Sequence, residues 1–206
     1  MRDYPLVVAF YYDRAPKYPV YEQGAIRLRT KCKTLDIPCD ICKENLDTFI
    51  TTHKKYRPRL MPERYIIYRY IPEFILKKLN QYNRPILYVH CDSVIMNKPD
   101  PVYFEPDMSV GYVLNPHDNN LWYVFASPLF FRPDTAAHTF LGHWNYMCQN
   151  FNTKQSEHEL LGYTIEDLKL YPEIRPFKRQ LSTEYIGDDS DIFYGKALTK
   201  AGELIS

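Results

Sequence analysis

A short apolar run that leads directly into polar side chains constrains the fold of this chain more than any other feature. Ile86 to Val89 follows Pro85 and carries β-branched and aromatic residues, a pattern typical of a central strand in an α/β sheet. His90 and Asp92 come next, and such sheets bind ligands just beyond their strand ends. In an extended chain, Tyr88, His90 and Asp92 would share one face. Asp92 is the leading candidate to organise a metal ion or a phosphate.

Strand and helix patterns alternate along most of the chain. The apolar run Leu6 to Tyr12 predicts a buried first strand in the middle of the sheet, and Val20 to Leu35 predicts an amphipathic helix. A helical pattern from Glu63 to Asn80 contains Pro72, which either kinks the helix or starts a second one. Further strands are predicted over 37–42, 108–114, 121–126, 129–131, 174–177 and 184–186, further helices from Asp134 to Cys148 and from Ser156, and an irregular basic loop over 49–62.

Length and charge limit the class of protein. A chain of 206 residues with 45% hydrophobic content is expected to form one compact domain. The formal net charge of +1 predicts no nucleic-acid partner and no attraction to an anionic membrane. No apolar run approaches the roughly 18 residues of a membrane span. The odd count of five cysteines, with no basic-then-apolar leader at the start, favours a soluble protein in the reducing cytoplasm.

The usual phosphate-binding motifs are missing. With 7 glycines, the chain has neither Gly-x-Gly-x-x-Gly nor Gly-x-x-x-x-Gly-Lys, so dinucleotide and P-loop sites are disfavoured. An acidic strand end holds a diphosphate when a divalent cation bridges the phosphates to carboxylate oxygens. Cys39 and Cys42 have the Cys-x-x-Cys spacing, but no second pair at zinc-ligand spacing accompanies them, so they are interpreted as structural thiols.

The central stretch resembles a known family. Ile86 to Ile95, followed by Lys98 and Pro99, is similar to the core of the nucleotide-diphospho-sugar glycosyltransferases of the GT-A fold. In that family a hydrophobic strand ends in an Asp-x-Asp motif, which a basic residue and a proline soon follow. Other parts of the chain resemble family elements in the same order: Val7–Tyr12, Pro72–Leu76, Ser127–Phe131 with Trp144, and Glu157–Leu161. The resemblance covers most of residues 5–187.

The resemblance implies a single GT-A-like, Rossmann-like α/β domain over residues 1–206, with a mixed, mostly parallel central sheet flanked by helices. It implies a nucleotide-binding half over about residues 1–100 and an acceptor-binding half over about residues 101–206. The implied activity is transfer of a sugar from a nucleotide-diphosphate donor to a hydroxyl acceptor, such as a glycan. Mn²⁺ or Mg²⁺ is the implied cofactor.

The resemblance also implies roles for individual residues at the strand end. Asp92 matches the second acid of Asp-x-Asp and is the implied metal ligand, whereas His90 stands where the family has the first acid. A neutral imidazole can bind a metal ion or contact a ribose, and a hydrogen-bonded structural histidine is the alternative. Glu157 is the implied acceptor-side acid, either as a general base or as a stabiliser of the sugar cation. Alternatively, Glu157 only favours the helix dipole.

The remaining implied contacts are to the donor and the sugars. Tyr11, Tyr12 and Asp13 end the first strand and are expected to contact the nucleotide, although alternation lets only one of the two tyrosines face it. Arg69 is the implied basic residue that approaches the diphosphate. Ser127 or His117 is expected to contact sugars.

Two other classes of function fit the sequence. One is a non-catalytic nucleotide- or sugar-binding protein that kept the fold and lost metal chemistry when Asp-x-Asp became His90-Cys91-Asp92. Metal-independent nucleotide binding without turnover would favour it. The other is a hydrolase that uses Glu157 and Glu184 as its carboxylate pair, which would cleave a glycoside with no nucleotide present.

Overall fold

A computed structural model describes residues 4–13, 20–56, 64–114, 124–151, 155–177, 182–183 and 192–193. The strands are β1 (Leu6–Asp13), β2 (Cys39–Asn45), β3 (Ile86–Tyr88), β4 (Val94–Ile95), β5 (Val110–Leu114), β6 (Val124–Phe131), β7 (Ile174–Pro176), β8 (Ser182–Thr183) and β9 (Ile192–Phe193). The helices are α1 (Val20–Thr34), α2 (Leu46–Thr52), α3 (Arg64–Arg69), α4 (Ile71–Tyr82), α5 (Thr135–Asn150) and α6 (Glu157–Asp167). Short 3₁₀ helices lie at Lys54–Tyr56 and Pro101–Tyr103.

Six strands form a mixed sheet in the order β2-β1-β3-β6-β5-β7. β1 is parallel to both β2 and β3. The crossover that a parallel pair requires is α1 between β1 and β2, and α2, α3 and α4 lie between β2 and β3. β6 is antiparallel to β3 and β5, and β7 is parallel to β5. A small second sheet has the order β4-β9-β8. The α/β fold with a mixed, mostly parallel sheet, predicted from the sequence, is confirmed.

The first strand divides the core into two sides. Val7, Ala9 and Tyr11 pack with α1 in one cluster, whereas Val8 and Phe10 pack in the other. That second cluster is built from α3, α4, α5 and α6. Both faces of β1 are therefore buried, which explains why its sequence is apolar throughout rather than alternating.

Local signals in the sequence predict the helix ends well. α3 ends at Arg69 and α4 begins at Ile71 with Pro72 in its first turn, so the prediction that a second helix starts there is confirmed. Asp134 caps α5 by accepting a hydrogen bond from Ala137 N (2.9 Å). None of the described helices has the length and apolar character to cross a membrane.

Two stretches differ from the sequence prediction. Residues 57–62 of the loop expected over 49–62 lie outside the described residues. Residues 49–52 belong to α2, because Asn45 caps that helix through Thr48 N (3.0 Å) and Phe49 is buried. Residues 121–123 lie outside the described residues, and the rest of the pieces expected at 121–126 and 129–131 joins in one strand, β6, despite Pro128. The pairing of β6 with β5 is irregular over this stretch, so the proline nitrogen interrupts no regular ladder.

Candidate functional site

The carboxyl end of β3 meets the first half of β6 at one edge of the sheet. Beyond Tyr88 the chain stays beside β1 for one more residue, since Val89 N donates to Val8 O (3.0 Å). The His90 amide then donates to Ser127 Oγ (2.9 Å). Antiparallel pairing of β3 with β6 explains this contact, because it brings the first half of β6 past the end of β3.

The chain turns sharply after His90. Ser93 N donates to His90 O (3.0 Å) and closes a turn that contains Cys91 and Asp92. The extended conformation that would align Tyr88, His90 and Asp92 therefore ends at His90. The shared face predicted from alternation is wrong for Asp92, because residues in a turn do not follow the two-residue period of a strand.

His90 is held in a neutral state. Its ring packs edge-on against Tyr88, with 5.7 Å between ring centroids. Burial of the imidazole, reinforced by the field of His158, lowers the pKa of His90 to about 3. A neutral imidazole keeps a nitrogen lone pair, which is the form that binds metal ions.

Asp92 lies against α1 because of a glycine. A Cβ atom on Gly24 would come within 2.7 Å of Cys91 O and 3.1 Å of the Asp92 Cα atom. Only glycine allows the helix to approach the turn this closely. Burial raises the pKa of the Asp92 carboxyl, while the positive charge of Arg27 opposes that shift. Sequence reasoning overlooked this contact, although a glycine inside an amphipathic helix was a usable signal.

Glu157 is the first residue of α6, and the next residue, His158, bonds to β6. Ser156 and Glu159 form a reciprocal capping box, which confirms that one acid of this segment has a structural role. Glu157 is not part of the box and is only 5% exposed. Burial raises the pKa of its carboxyl, and the charges of His158 and Arg69 oppose the shift. A raised pKa makes this carboxylate a stronger base than an exposed glutamate.

His158 connects Glu157 with the sheet. Its Nε2 atom lies 3.3 Å from Oε1 of Glu157. Its Nδ1 atom lies 3.1 Å from Ala126 N and 3.0 Å from Val124 O. Sequence reasoning did not single out this histidine, because no local pattern shows that it bonds a strand more than thirty residues away.

Arg69 has a different setting from the one expected. It is 1% exposed, and its guanidinium donates to the backbone oxygens of Cys148 (3.3 Å), Phe151 (2.6 Å) and Gln155 (2.9 Å). The last carbonyls of a helix lack partners within the helix, and Arg69 satisfies them where α5 leads into α6. The two terminal amino groups of Arg69 thus have a structural role, and its expected approach to a diphosphate stays a prediction.

The remaining residues that the sequence predicted for the site lie in several parts of the fold. Tyr11 and Tyr12 are both buried, in opposite core clusters, in keeping with strand alternation. Asp13 is the last residue of β1 and pairs with Asn45 of β2. Ser127 was expected to contact sugar, but it is fully buried and its hydroxyl accepts the His90 amide. His117 and Glu184 lie outside the described residues.

His90 and Asp92 carry ligand atoms that suit a divalent cation, but they are only two residues. Among the described residues, no group of three or more His, Cys, Asp or Glu side chains could hold a metal ion. Asp92 offers carboxylate oxygens and neutral His90 offers a nitrogen, both of which Mn²⁺ accepts. Diphosphate oxygens of a donor would supply further ligands of the right kind. The metal site stays a prediction.

Comparisons with known proteins agree with this fold. The structure is similar to a glycosyltransferase involved in the glycosylation of the major capsid of PBCV-1, with a TM-score of 0.63, 11% identity and 96% of each chain covered. It is also similar to mouse xyloside xylosyltransferase 1 in its apo form, with a TM-score of 0.53, 9% identity, and 95% of this chain and 98% of that one covered. No protein-family profile and no curated protein sequence matches the chain. The likeness therefore establishes a GT-A-like glycosyltransferase fold.

Proposed function

We propose that this protein is a glycosyltransferase that moves a sugar from a nucleotide-diphosphate donor to a hydroxyl group of an acceptor, such as a glycan. A fold alone does not define a function. The observation that supports the proposal is the turn beyond the carboxyl end of β3, in which Asp92 follows His90. Ligands of open α/β sheets bind at this end of the strands.

The donor nucleotide would lie at the adjoining ends of β1 and β3. These strands are parallel neighbours, so Asp13 and the segment after Tyr88 belong to the same edge of the sheet. Asp92 and the neutral His90 would hold Mn²⁺ or Mg²⁺, a cation that supplies positive charge to the departing diphosphate. The Ser127 hydroxyl and the Tyr88 ring fix the backbone and the imidazole of His90, so these contacts keep the site in shape.

Glu157 would take the acceptor proton. In the transfer, the acceptor oxygen forms a bond to the anomeric carbon, the bond from that carbon to the diphosphate oxygen breaks, and the hydroxyl proton passes to the Glu157 carboxylate. Burial raises the pKa of Glu157, which moves it toward the range where a carboxylate is an effective base near neutral pH. His158, 3.3 Å from the carboxyl, would orient it.

The decisive test is release of nucleoside diphosphate from a panel of nucleotide sugars, with and without Mn²⁺, for the wild type, Asp92→Asn and Asp47→Asn. Asp47 is an exposed acid of α2 and serves as the charge-matched control. We expect Mn²⁺-dependent release by the wild type and by Asp47→Asn, and a loss of at least about 100-fold in Asp92→Asn, because a removed charge contact to the reacting group costs several kcal/mol. A folded wild type that neither binds nor turns over any nucleotide sugar would contradict the proposal.

A further inference from the structure

A pocket of about 310 Å³ lies at the amino ends of β1 and β3, at the edge of the sheet opposite the proposed transfer site. Tyr4 and Pro5 line it just before β1, and Pro85 lines it just before β3. Because β6 is antiparallel to β3, Phe130 and Arg132 reach the same edge from the end of β6. The pocket is therefore separate from the turn that carries Asp92.

Prolines and aromatic rings form the walls of this pocket. Four of its lining residues are prolines, namely Pro5, Pro85, Pro101 and Pro106. A proline has a fixed φ and no backbone N–H group, so these walls are stiff and offer no amide donor. Phe104 stacks on Phe130 with 5.1 Å between ring centroids, and Tyr4 meets Phe104 edge-on at 5.9 Å. Walls of this kind suit an apolar body, and their stiffness lowers the entropic cost of binding it.

Arg132 adds a positive charge to the apolar pocket. Its Nε atom donates to Met108 O (3.0 Å), its Nη2 atom donates to Glu105 O (2.8 Å), and its guanidinium lies over the Phe130 ring. Both acceptors are backbone carbonyls, and Arg132 forms no ion pair with any carboxylate among the described residues. The Nη1 amino group, which has no partner in the same part of the chain, is left for a ligand.

Two further cations flank the pocket through Tyr4. The Nη2 atom of Arg84 donates to Tyr4 O (2.6 Å). The Nζ atom of Lys98 lies 5.1 Å from the centroid of the Tyr4 ring and donates to Asp36 O (2.7 Å). Neither cation pairs with a carboxylate within the ranges that the structure describes. Positive charges beside walls of low dielectric constant concentrate anions at such a site.

The acids of the neighbouring segments are engaged elsewhere. The carboxylate of Glu105 pairs with Arg175 (2.5 Å). The carboxylate of Asp100 accepts a hydrogen bond from Val102 N (2.8 Å), and that of Asp134 caps α5. The positive charge around the pocket is thus not neutralised by these acids.

We propose that this pocket binds a small monocarboxylate with an aromatic or branched aliphatic body. A single Nη1 group suits one carboxylate oxygen, whereas a phosphate is best bound by the parallel pair of N–H groups that Arg132 already uses on carbonyls. The volume is near the lower limit of about 300 Å³ for ligand pockets, which restricts the body to about one or two rings. The inference does not rest on the proposed function, because the pocket lies at the opposite edge of the sheet.

Ligand-observed NMR at neutral pH tests the inference on the full chain. The probes are hydrocinnamate and naphthylacetate, each compared with its neutral primary amide. We expect both acids to bind the wild type and each amide to bind at least about ten-fold more weakly, because the hydrogen bond between two charged groups is lost. Equal affinity of acid and amide, or no binding of either acid at millimolar concentrations, would contradict the inference.

Three variants locate the acids on the protein. Arg132→Gln should weaken their binding about ten-fold or more, and Lys98→Gln about three- to five-fold, since its charge acts from a greater distance. Lys33→Gln, which removes an exposed cation of α1, should stay within about two-fold of the wild type.

Thermal unfolding of each variant is the folding control, because Arg132→Gln also loses hydrogen bonds to two carbonyls. If Arg132→Gln does not fold, Lys98→Gln and the comparison of acid with amide decide. A folded Arg132→Gln or Lys98→Gln with wild-type affinity would contradict the inference. Displacement of the acid by UDP would also contradict it, because the acid would then occupy the proposed donor site.

Discussion

The backbone amide of His90 donates a 2.9 Å hydrogen bond to the hydroxyl of Ser127, 37 residues away in the chain. This contact joins the end of β3 to β6 through a side chain, at the point where the chain leaves the sheet and turns. It therefore sets the starting point of the turn that carries Asp92.

Removing the Ser127 hydroxyl should destabilise the protein. In Ser127→Ala the His90 amide loses its acceptor, and an unsatisfied group of this kind costs about 1–3 kcal/mol. Ser93→Ala is the matched control, because the Ser93 hydroxyl is also buried but has no hydrogen-bond partner among the described residues. Urea unfolding should show a lower free energy of unfolding for Ser127→Ala and an unchanged one for Ser93→Ala. Equal losses in both variants would show that the hydrogen bond contributes nothing specific.

Two glycine substitutions in helices should have opposite effects. Alanine in a helix interior is favoured over glycine by about 1 kcal/mol, and a Cβ at Gly142 of α5 would have no neighbour within 4 Å. Gly142→Ala should therefore stabilise the protein. Gly24→Ala should destabilise it, because the added carbon would come within 2.7 Å of Cys91 O and push α1 from the Asp92 turn. Thermal unfolding distinguishes the two variants. A higher melting temperature for Gly24→Ala would contradict the close packing of α1 against the turn at Cys91 and Asp92.

Arg69 should behave as a stability residue. Arg69→Lys keeps the charge, but an ammonium cannot serve three separated carbonyls as a guanidinium does. We expect a loss of at least about 3 kcal/mol in unfolding free energy, since buried charged hydrogen bonds are lost. Nucleoside diphosphate affinity, measured below the melting temperature, should stay near that of the wild type. A variant with wild-type stability and weakened diphosphate binding would contradict this and would support the diphosphate contact predicted for Arg69.

The buried carboxyl of Glu157 should make stability depend on pH. Its pKa is raised in the folded state, so between the unfolded and folded pKa values the native protein holds the extra proton. The stabilisation from this group is therefore complete below the pKa of the unfolded state, which is near 4.3 for glutamate. It is lost as the pH rises through the pKa of the folded state. Glu157→Gln removes this titration. In urea unfolding from pH 4 to 7.5, the free energy of unfolding of Glu157→Gln should rise relative to that of the wild type as the pH increases. A difference between the two proteins that does not change with pH would contradict the prediction.

Much of the fold could be predicted from local patterns. The apolar run at Leu6 to Tyr12 and the one at Ile86 to Val89 became neighbouring strands. Asp134, Ser156 and Pro72 marked helix starts, because capping and proline effects depend only on residues within one turn. The family resemblance rested on the same local stretches. It was sufficient for the fold class, which the structural comparison supports.

The site was determined by contacts between distant segments. No local pattern showed that Ser127 accepts the His90 amide, that His158 bonds to β6, or that Arg69 serves the carbonyls after α5. These contacts depend on which backbone groups remain without partners after the sheet and helices pack, and that is a property of the assembled chain.

The sequence by itself thus determined the strands, the helix ends and the acidic strand end at Asp92, since each depends on neighbouring residues. Only the tertiary structure decided that Asp92 lies in a turn held against Gly24, and that Arg27 is the arginine whose charge reaches it. The physical reason is that the direction of a side chain past a strand end depends on what packs against it, and here that is a helix more than sixty residues earlier in the chain.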